Sequence, residues 1–115
     1  MSHYKLTFNV SDKRNFDWIK SGTKKFESRA GSDEYNKIHS GDIVTFDCSE
    51  ESFDKIVKQR YDFANLNELL EAFTIKDIMP DNPSREEAIA RWLSYPGYEK
   101  RIKENGIIVW ELKNI

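Results

Sequence analysis

The sequence predicts an α+β domain: a small mixed sheet or barrel with helices around it. Three observations lead there. Residues 4–10, Y-K-L-T-F-N-V, alternate strictly between apolar and polar. Two further segments, I-V-T-F-D-C at 43–48 and the nearly continuous apolar run I-I-V-W-E-L at 107–112, are rich in β-branched and aromatic residues. Between these two lie L-N-E-L-L-E-A-F and A-I-A-R-W-L, whose apolar residues recur at helical spacing. With 115 residues the chain fits one domain, 1–115, large enough for a core and too short for two.

Each element follows from its residues. In the first strand Tyr4, Leu6, Phe8 and Val10 share one face and Lys5, Thr7 and Asn9 the other. Ser11 or Asp12 then caps a short helix through D-K-R-N-F-D-W-I-K, with Phe16 and Ile19 three apart and Gly22 as a left-handed stop. The next segment, K-K-F-E-S-R, is anchored by Phe26 and reads with period 2. That period sets Lys24, Phe26 and Ser28 on one face and Lys25, Glu27 and Arg29 on the other. A loop, A-G-S-D-E-Y-N-K-I-H, leads through the turn Ser40-Gly41-Asp42 into I-V-T-F-D-C. The run F-D-K-I-V-K-Q-R-Y pairs with that strand as a hairpin across S-E-E-S. Asn65 caps the first amphipathic helix, and Ser84-Arg85-Glu86-Glu87 is a capping box for the second. Pro96, in S-Y-P-G-Y, disfavours helical geometry at Tyr95 and ends it. One or two further turns, Y-E-K-R-I-K-E-N-G, stop at Gly106 before the closing strand.

Composition narrows the function. Charged residues are 33% of the chain, yet the formal net charge is −2, so affinity for a polyanion has to come from a local patch. One exists: from Lys13 to Arg29 six cations face only Asp17 and Glu27, a net +4 that leaves the rest of the chain near −6. The lone Cys48 excludes an internal disulfide, and His3 and His39 without further Cys or His clusters argue against a structural zinc site. The N-terminus lacks the apolar core of a signal peptide and no run is long enough to span a bilayer, so a soluble, cytoplasmic protein is expected.

Taken in order, S-G-T-K-K-F-E-S-R, I-H-S-G-D-I-V-T-F, I-K-D-I-M-P-D-N-P-S, S-Y-P-G-Y and the terminal G-I-I-V-W-E-L resemble the ASCH family of the PUA-like superfamily. The family signature G-x-K-x-x-E-x-R is matched at Gly22, Lys24, Glu27 and Arg29, and its G-D turn at Gly41 and Asp42. It is the ordered combination, covering nearly the whole chain, that is specific. The resemblance implies a small β-barrel with a cleft between barrel and helices that accommodates RNA or a nucleotide-like ligand, with no cofactor. Fold membership alone does not fix activity.

On that reading Lys24, Glu27 and Arg29 converge on the cleft, with Gly22 as the turn before them. Lys24 and Arg29 bind phosphate or carboxylate, and Glu27 accepts from an amino group or acts as a base. A carboxylate between cations has its charged form favoured, which suits acceptance better than proton donation. The competing reading makes Lys25, Glu27 and Arg29 the solvated face of an edge strand. Tyr95 and Tyr98 offer rings for stacking on bases, with Lys100, Arg101 and Lys103 near enough in sequence to meet phosphates. Their plainer role is packing of a helix terminus on the barrel. Trp18, Trp92 and Trp110 each lie in apolar periodic segments and read as core or cleft rim.

A second function class comes with the resemblance. A group of small ASCH amidohydrolases acts on acetylated cytidine with a Lys and a Thr on the signature strand and a later Glu. Lys24 matches the Lys, Glu27 stands at the Thr position, and the region of the later Glu offers Asp77, Asp81 and Glu86. Lys24 and Glu27 are the catalytic candidates on this alternative. A third class is a protein interaction module docking through its helices. The sequence lacks a G-x-S-x-G nucleophile context and is too poor in glycine for a phosphate loop.

Overall fold

The computed structural model describes residues 2–115. Among them are five strands: β1 (His3–Thr7), β2 (Phe26–Ala30), β3 (Ile43–Cys48), β4 (Glu51–Phe63) and β5 (Ile107–Lys113). The helices are α1 (Lys13–Ser21), α2 (Asp33–Asn36), α3 (Leu66–Ala72), α4 (Ile75–Ile78), α5 (Arg85–Leu93) and α6 (Tyr98–Asn105). The strands form one mixed sheet in the order β1-β3-β4-β5-β2, curled into a half-barrel. β1 runs parallel to β3, and the other three pairings are antiparallel. The predicted α+β class, a PUA-like barrel with peripheral helices, is therefore the observed one, with β1 and β2 as the two sheet edges.

The sheet carries a core on each face, although His3, Lys5 and Thr7 of β1 point to solvent. One core gathers Leu6, Phe16, Ile19, Val44, Phe46 and Trp110, and the other packs Leu69, Ile78, Trp92 and Ile102 of the helices onto Ile107 and Val109. β5 serves both, Ile108, Trp110 and Leu112 in the first and Ile107 and Val109 in the second, which is why its sequence is apolar almost without interruption. β4 serves both by a different device. Its pairing with β5 jumps between Val57 and Gln59, a bulge that inserts Lys58. A one-residue insertion flips the side-chain parity. Val57 thus faces the first core, while Tyr61 and Phe63 face the second.

The β3–β4 hairpin, the caps Asn65 and Ser84 and the stop at Gly106 are found where the sequence places them. The side chains of Asn65 and Ser84 accept hydrogen bonds from the backbone N–H groups of Glu68 (2.9 Å) and Glu87 (3.1 Å). The G-D turn has a structural task as well. The Asp42 carboxylate accepts from the backbone N–H groups of His39 (2.8 Å) and Ser2 (3.0 Å), tying the chain start to the turn before β3.

Three expectations are corrected. Val10 does not continue the apolar face of the first strand: β1 ends at Thr7, and Val10 lies in a 3-10 turn over Val10–Asp12 with 69% of its surface exposed. Asp12 occupies the cap position of α1 but its side chain makes no capping hydrogen bond, because its carboxylate is engaged by Tyr95. The expected loop at 30–39 contains α2, of one turn and so too short to leave a periodic signature, as is α4, which the sequence reading did not assign. No helix among the described residues is long and apolar enough to cross a membrane.

The stop at Gly106 is also a close approach. Its φ of 72° and ψ of −162° lie in a region that is essentially restricted to glycine. A Cβ there would meet the carbonyl oxygen of Phe63 at 2.4 Å. Gly106→Ala is expected to cost ~1–3 kcal/mol from the backbone alone, with the clash added. Gly22, at φ 85° with nothing within 4 Å of a built Cβ, should lose only about 1–2 kcal/mol on the same change. Urea unfolding of the two variants against the parent checks the order.

Candidate functional site

β2 is an edge strand, hydrogen-bonded on one side to β5. Glu27 sits opposite Trp110 and Arg29 opposite Ile108, so both side chains point into the first core. The solvated-face reading of these residues is therefore excluded: Glu27 is 3% exposed and Arg29 9%. Lys24 is 5% exposed and departs from the strand alternation that set it opposite Glu27. It precedes the first residue of β2, its backbone N–H bonds back to Trp18 of α1, and the side chain is free to turn inward.

The three charges meet. Lys24 Nζ donates to Glu27 Oε1 at 3.2 Å and to Asn15 Oδ1 at 3.3 Å, while Arg29 Nε donates to Glu27 Oε2 at 3.1 Å. The backbone N–H of Ser28 adds a fourth contact, to Glu27 Oε1 at 3.1 Å. Burial by itself would push the Glu27 carboxyl up, but the charges of Lys24 and Arg29 outweigh it and hold the group below the usual carboxylate range. The Arg29 guanidinium lies 4.8 Å from the ring centre of Phe8 and 5.5 Å from that of Tyr35, and donates to the Tyr35 hydroxyl at 3.1 Å. Burial would lower its basicity; Glu27 more than compensates and raises it.

These groups floor a cavity of about 250 Å³. Its position explains how both sheet faces reach it. It runs along the edge of β2, so Glu27 and Arg29 enter from one face and Ser28 from the other, together with Thr7, Phe8 and Asn9 at the end of β1. Ile78, Met79, Arg91 and Trp92 form the helical wall, and Tyr95, Pro96 and Tyr98 the rim. Two hydrogen bonds hold rim and wall to the floor. Trp92 Nε1 donates to Ser28 Oγ at 3.0 Å, and Tyr95 OH donates to Asp12 Oδ1 at 3.1 Å. Burial and the nearby Asp12 carboxylate raise the Tyr95 phenol, and burial lifts that of Tyr98 to about 12, so both stay neutral donors.

Of the residues singled out from the sequence, Lys24, Glu27, Arg29, Tyr95 and Tyr98 all line the cavity, and Gly22 does not. Gly22 is the stop of α1, its N–H bonded to Ile19. Asp77, Asp81 and Glu86 lie outside the lining; Asp81 is held by Arg91 in a two-pronged pair at 2.9 and 3.0 Å. Asp12, Asn15, Tyr35 and Arg91 belong to the cavity and were missed. Asp12 and Asn15 carried a faint signal, two polar residues three apart beside the buried stripe of a helix. Tyr35 carried none, since it lies in the short α2.

This edge-of-barrel arrangement defines the molecule as a small α+β half-barrel with a polar cavity at its seam. The same fold occurs in the crystal structure of hypothetical protein PH0355, which is 25% identical over the whole of both chains with a TM-score of 0.78. It occurs again in the solution NMR structure of protein PF0455 from Pyrococcus furiosus, 23% identical, covering 98% of this chain and 96% of that one at a TM-score of 0.74. No family model and no curated protein matches the sequence.

Two outcomes follow from the triad. Replacing Glu27 by Ala leaves two cations uncompensated in the interior and should cost about 3–5 kcal/mol. The pH dependence has a definite sign. The folded-state pKa of Glu27 is depressed, so its contribution is present above the ordinary value of 4.5 and is lost as pH falls through the depressed one. Urea unfolding between pH 7 and pH 3 should show a decline in stability that is shallower in Glu27→Gln.

Proposed function

We propose that this chain is an ASCH-domain protein that holds RNA or a nucleotide-like ligand, with one base in the cavity between barrel and helices. The observation that carries this reading is the buried Lys24–Glu27–Arg29 triad at the floor of an aromatic-rimmed cavity. Burying three charges costs more than a hydrophobic core of the same volume, and here the charges border space that a ligand can enter. At about 250 Å³ the cavity falls just below the range typical of drug-sized ligands. That suits a single flat base and excludes a duplex.

The chemistry is complementary to a nucleobase edge. Glu27, ionised, accepts from an exocyclic amino or ring N–H. Lys24 has three donors and uses two within the protein; the third, with the remaining guanidinium N–H groups of Arg29, serves carbonyl or phosphate oxygens. The rings of Tyr95 and Tyr98, 5.1 Å apart, offer a stacking wall. The rival hydrolase reading is weaker on this geometry. Two cations lower the basicity of Glu27, which weakens it as a proton acceptor; Asp77, Asp81 and Glu86 are not lining residues, and Asp81 is occupied by Arg91.

Titration with cytidine, cytidine monophosphate and a short single-stranded RNA at two salt concentrations tests the proposal. Lys24→Ala and Arg29→Glu, each verified as folded, should weaken binding by about ten-fold or more, the loss of a hydrogen bond to a charged group. Tyr98→Ala should cost about 1–3 kcal/mol of stacking. Equal affinity across parent and variants would sink the cavity as the ligand site. Incubation with acetylcytidine should release no acetate beyond a Glu27→Gln control; turnover would put the hydrolase reading in its place.

A further inference from the structure

Lys55 is a lysine at a core-facing position of β4. It shares a face with Phe53 and Val57, pairs with Val44, and is 6% exposed. The other buried charges are compensated: Lys24 and Arg29 by Glu27, and Asp42 by two backbone N–H groups. Lys55 Nζ has a neutral partner, Asn114 Oδ1, and the ring of Phe53 at 5.8 Å. Among the described residues no carboxylate pairs with it. Burial lowers its basicity accordingly. A buried ammonium without a counter-charge is stabilised by an anion from outside.

The surroundings supply a place for one. Lys55 borders a depression of about 290 Å³ that Lys25, Lys58 and Lys113 also line, with Glu111 as its one carboxylate. Glu111 is engaged by Lys58 at 3.6 Å. The bulge in β4 is what brings Lys58 there, because the inserted residue re-aims the side chain beside β5. Lys24 lines this depression and the triad cavity alike, so the two share a wall. Lysines present compact point charges with freely rotating donors, which fits a tetrahedral, multiply charged group better than a planar carboxylate.

We propose that the depression bounded by Lys25, Lys55, Lys58 and Lys113 is a phosphate site, adjoining the base cavity across Lys24. It rests on the nucleotide reading only for the owner of the phosphate, a free nucleotide or an RNA backbone. The site itself is tested with probes that lack a base.

The experiment adds sodium pyrophosphate to the isotope-labelled full chain at constant ionic strength and follows backbone amide NMR shifts, with cytidine as a separate titrant for the cavity. Saturable shifts centred on residues 22–25, 55–58 and 111–114 are expected, and their loss in the surface double variant Lys58→Glu/Lys113→Glu. Lys55→Met keeps the side-chain length, so it should retain the fold while weakening pyrophosphate binding several-fold, a readout a merely structural lysine would not move. Cytidine affinity should be unchanged in these variants. A single-stranded oligoribonucleotide separates the sources. If the double variant binds it at least ten-fold more weakly, with a salt slope shallower by about 0.7 for each phosphate no longer neutralised, the phosphate belongs to an RNA backbone. If pyrophosphate binding alone is lost, it belongs to a free nucleotide. No saturable pyrophosphate shift together with unaltered oligoribonucleotide binding overturns the site, whatever cytidine does.

Discussion

A carboxylate excluded from water has to find its compensation within hydrogen-bonding distance, and Glu27 dictates much of this molecule by that requirement. Its two oxygens collect the Lys24 ammonium, the Arg29 guanidinium and the Ser28 N–H. Each charged partner in turn recruits a neighbour: Lys24 takes Asn15 from α1, and Arg29 takes Tyr35 from α2 and lies against Phe8 beyond β1. α1, α2 and the segment after β1 are thereby tied by polar contacts to one strand. No buried side-chain polar atom among the described residues is left without a partner.

Most of the scaffold could be read from the chain because its elements are governed by local rules. The β3–β4 hairpin, the caps Asn65 and Ser84, and the apolar closing strand each follow from periodicity or from turn and cap chemistry. The failures share a cause. Val10 alternates correctly and is nevertheless exposed, because the turn into α1 intervenes before the alternation is used. The parity reversal at Lys58 leaves no mark in the sequence, since it exists only relative to the register of β5. In the site, Lys24, Glu27 and Arg29 were visible as a motif, but not that they would be buried together. Strand periodicity assigned Lys24 to the wrong face, for it lies before the strand begins. Tyr35 is brought in by tertiary contact alone.

The cavity occupies the gap that barrel closure would fill. With β1 and β2 as edges, their side chains and the segments beside them, Phe8 and Asn9 on one side and Ser28 on the other, turn toward the helices. Edge strands are commonly protected by charge or by covering elements. Here α5 covers the seam and is pinned to β2 through Trp92 and Ser28. The same polar groups that stop the edge from pairing with another strand give the cavity its floor.

The order of strands in the sheet also bears on how the chain assembles. β2 has a single sheet neighbour, β5, and Phe26 waits for Glu111 as its cross-strand partner. During synthesis the hairpin β3–β4 and its parallel neighbour β1 can pair while the strand bearing Glu27 and Arg29 has nothing to lie against. Contacts so distant in sequence are slow to close. The triad's own contacts are local, within six residues, but the strand that carries them joins the sheet only through β5, so an early segment of the chain takes its place in the fold through the last one.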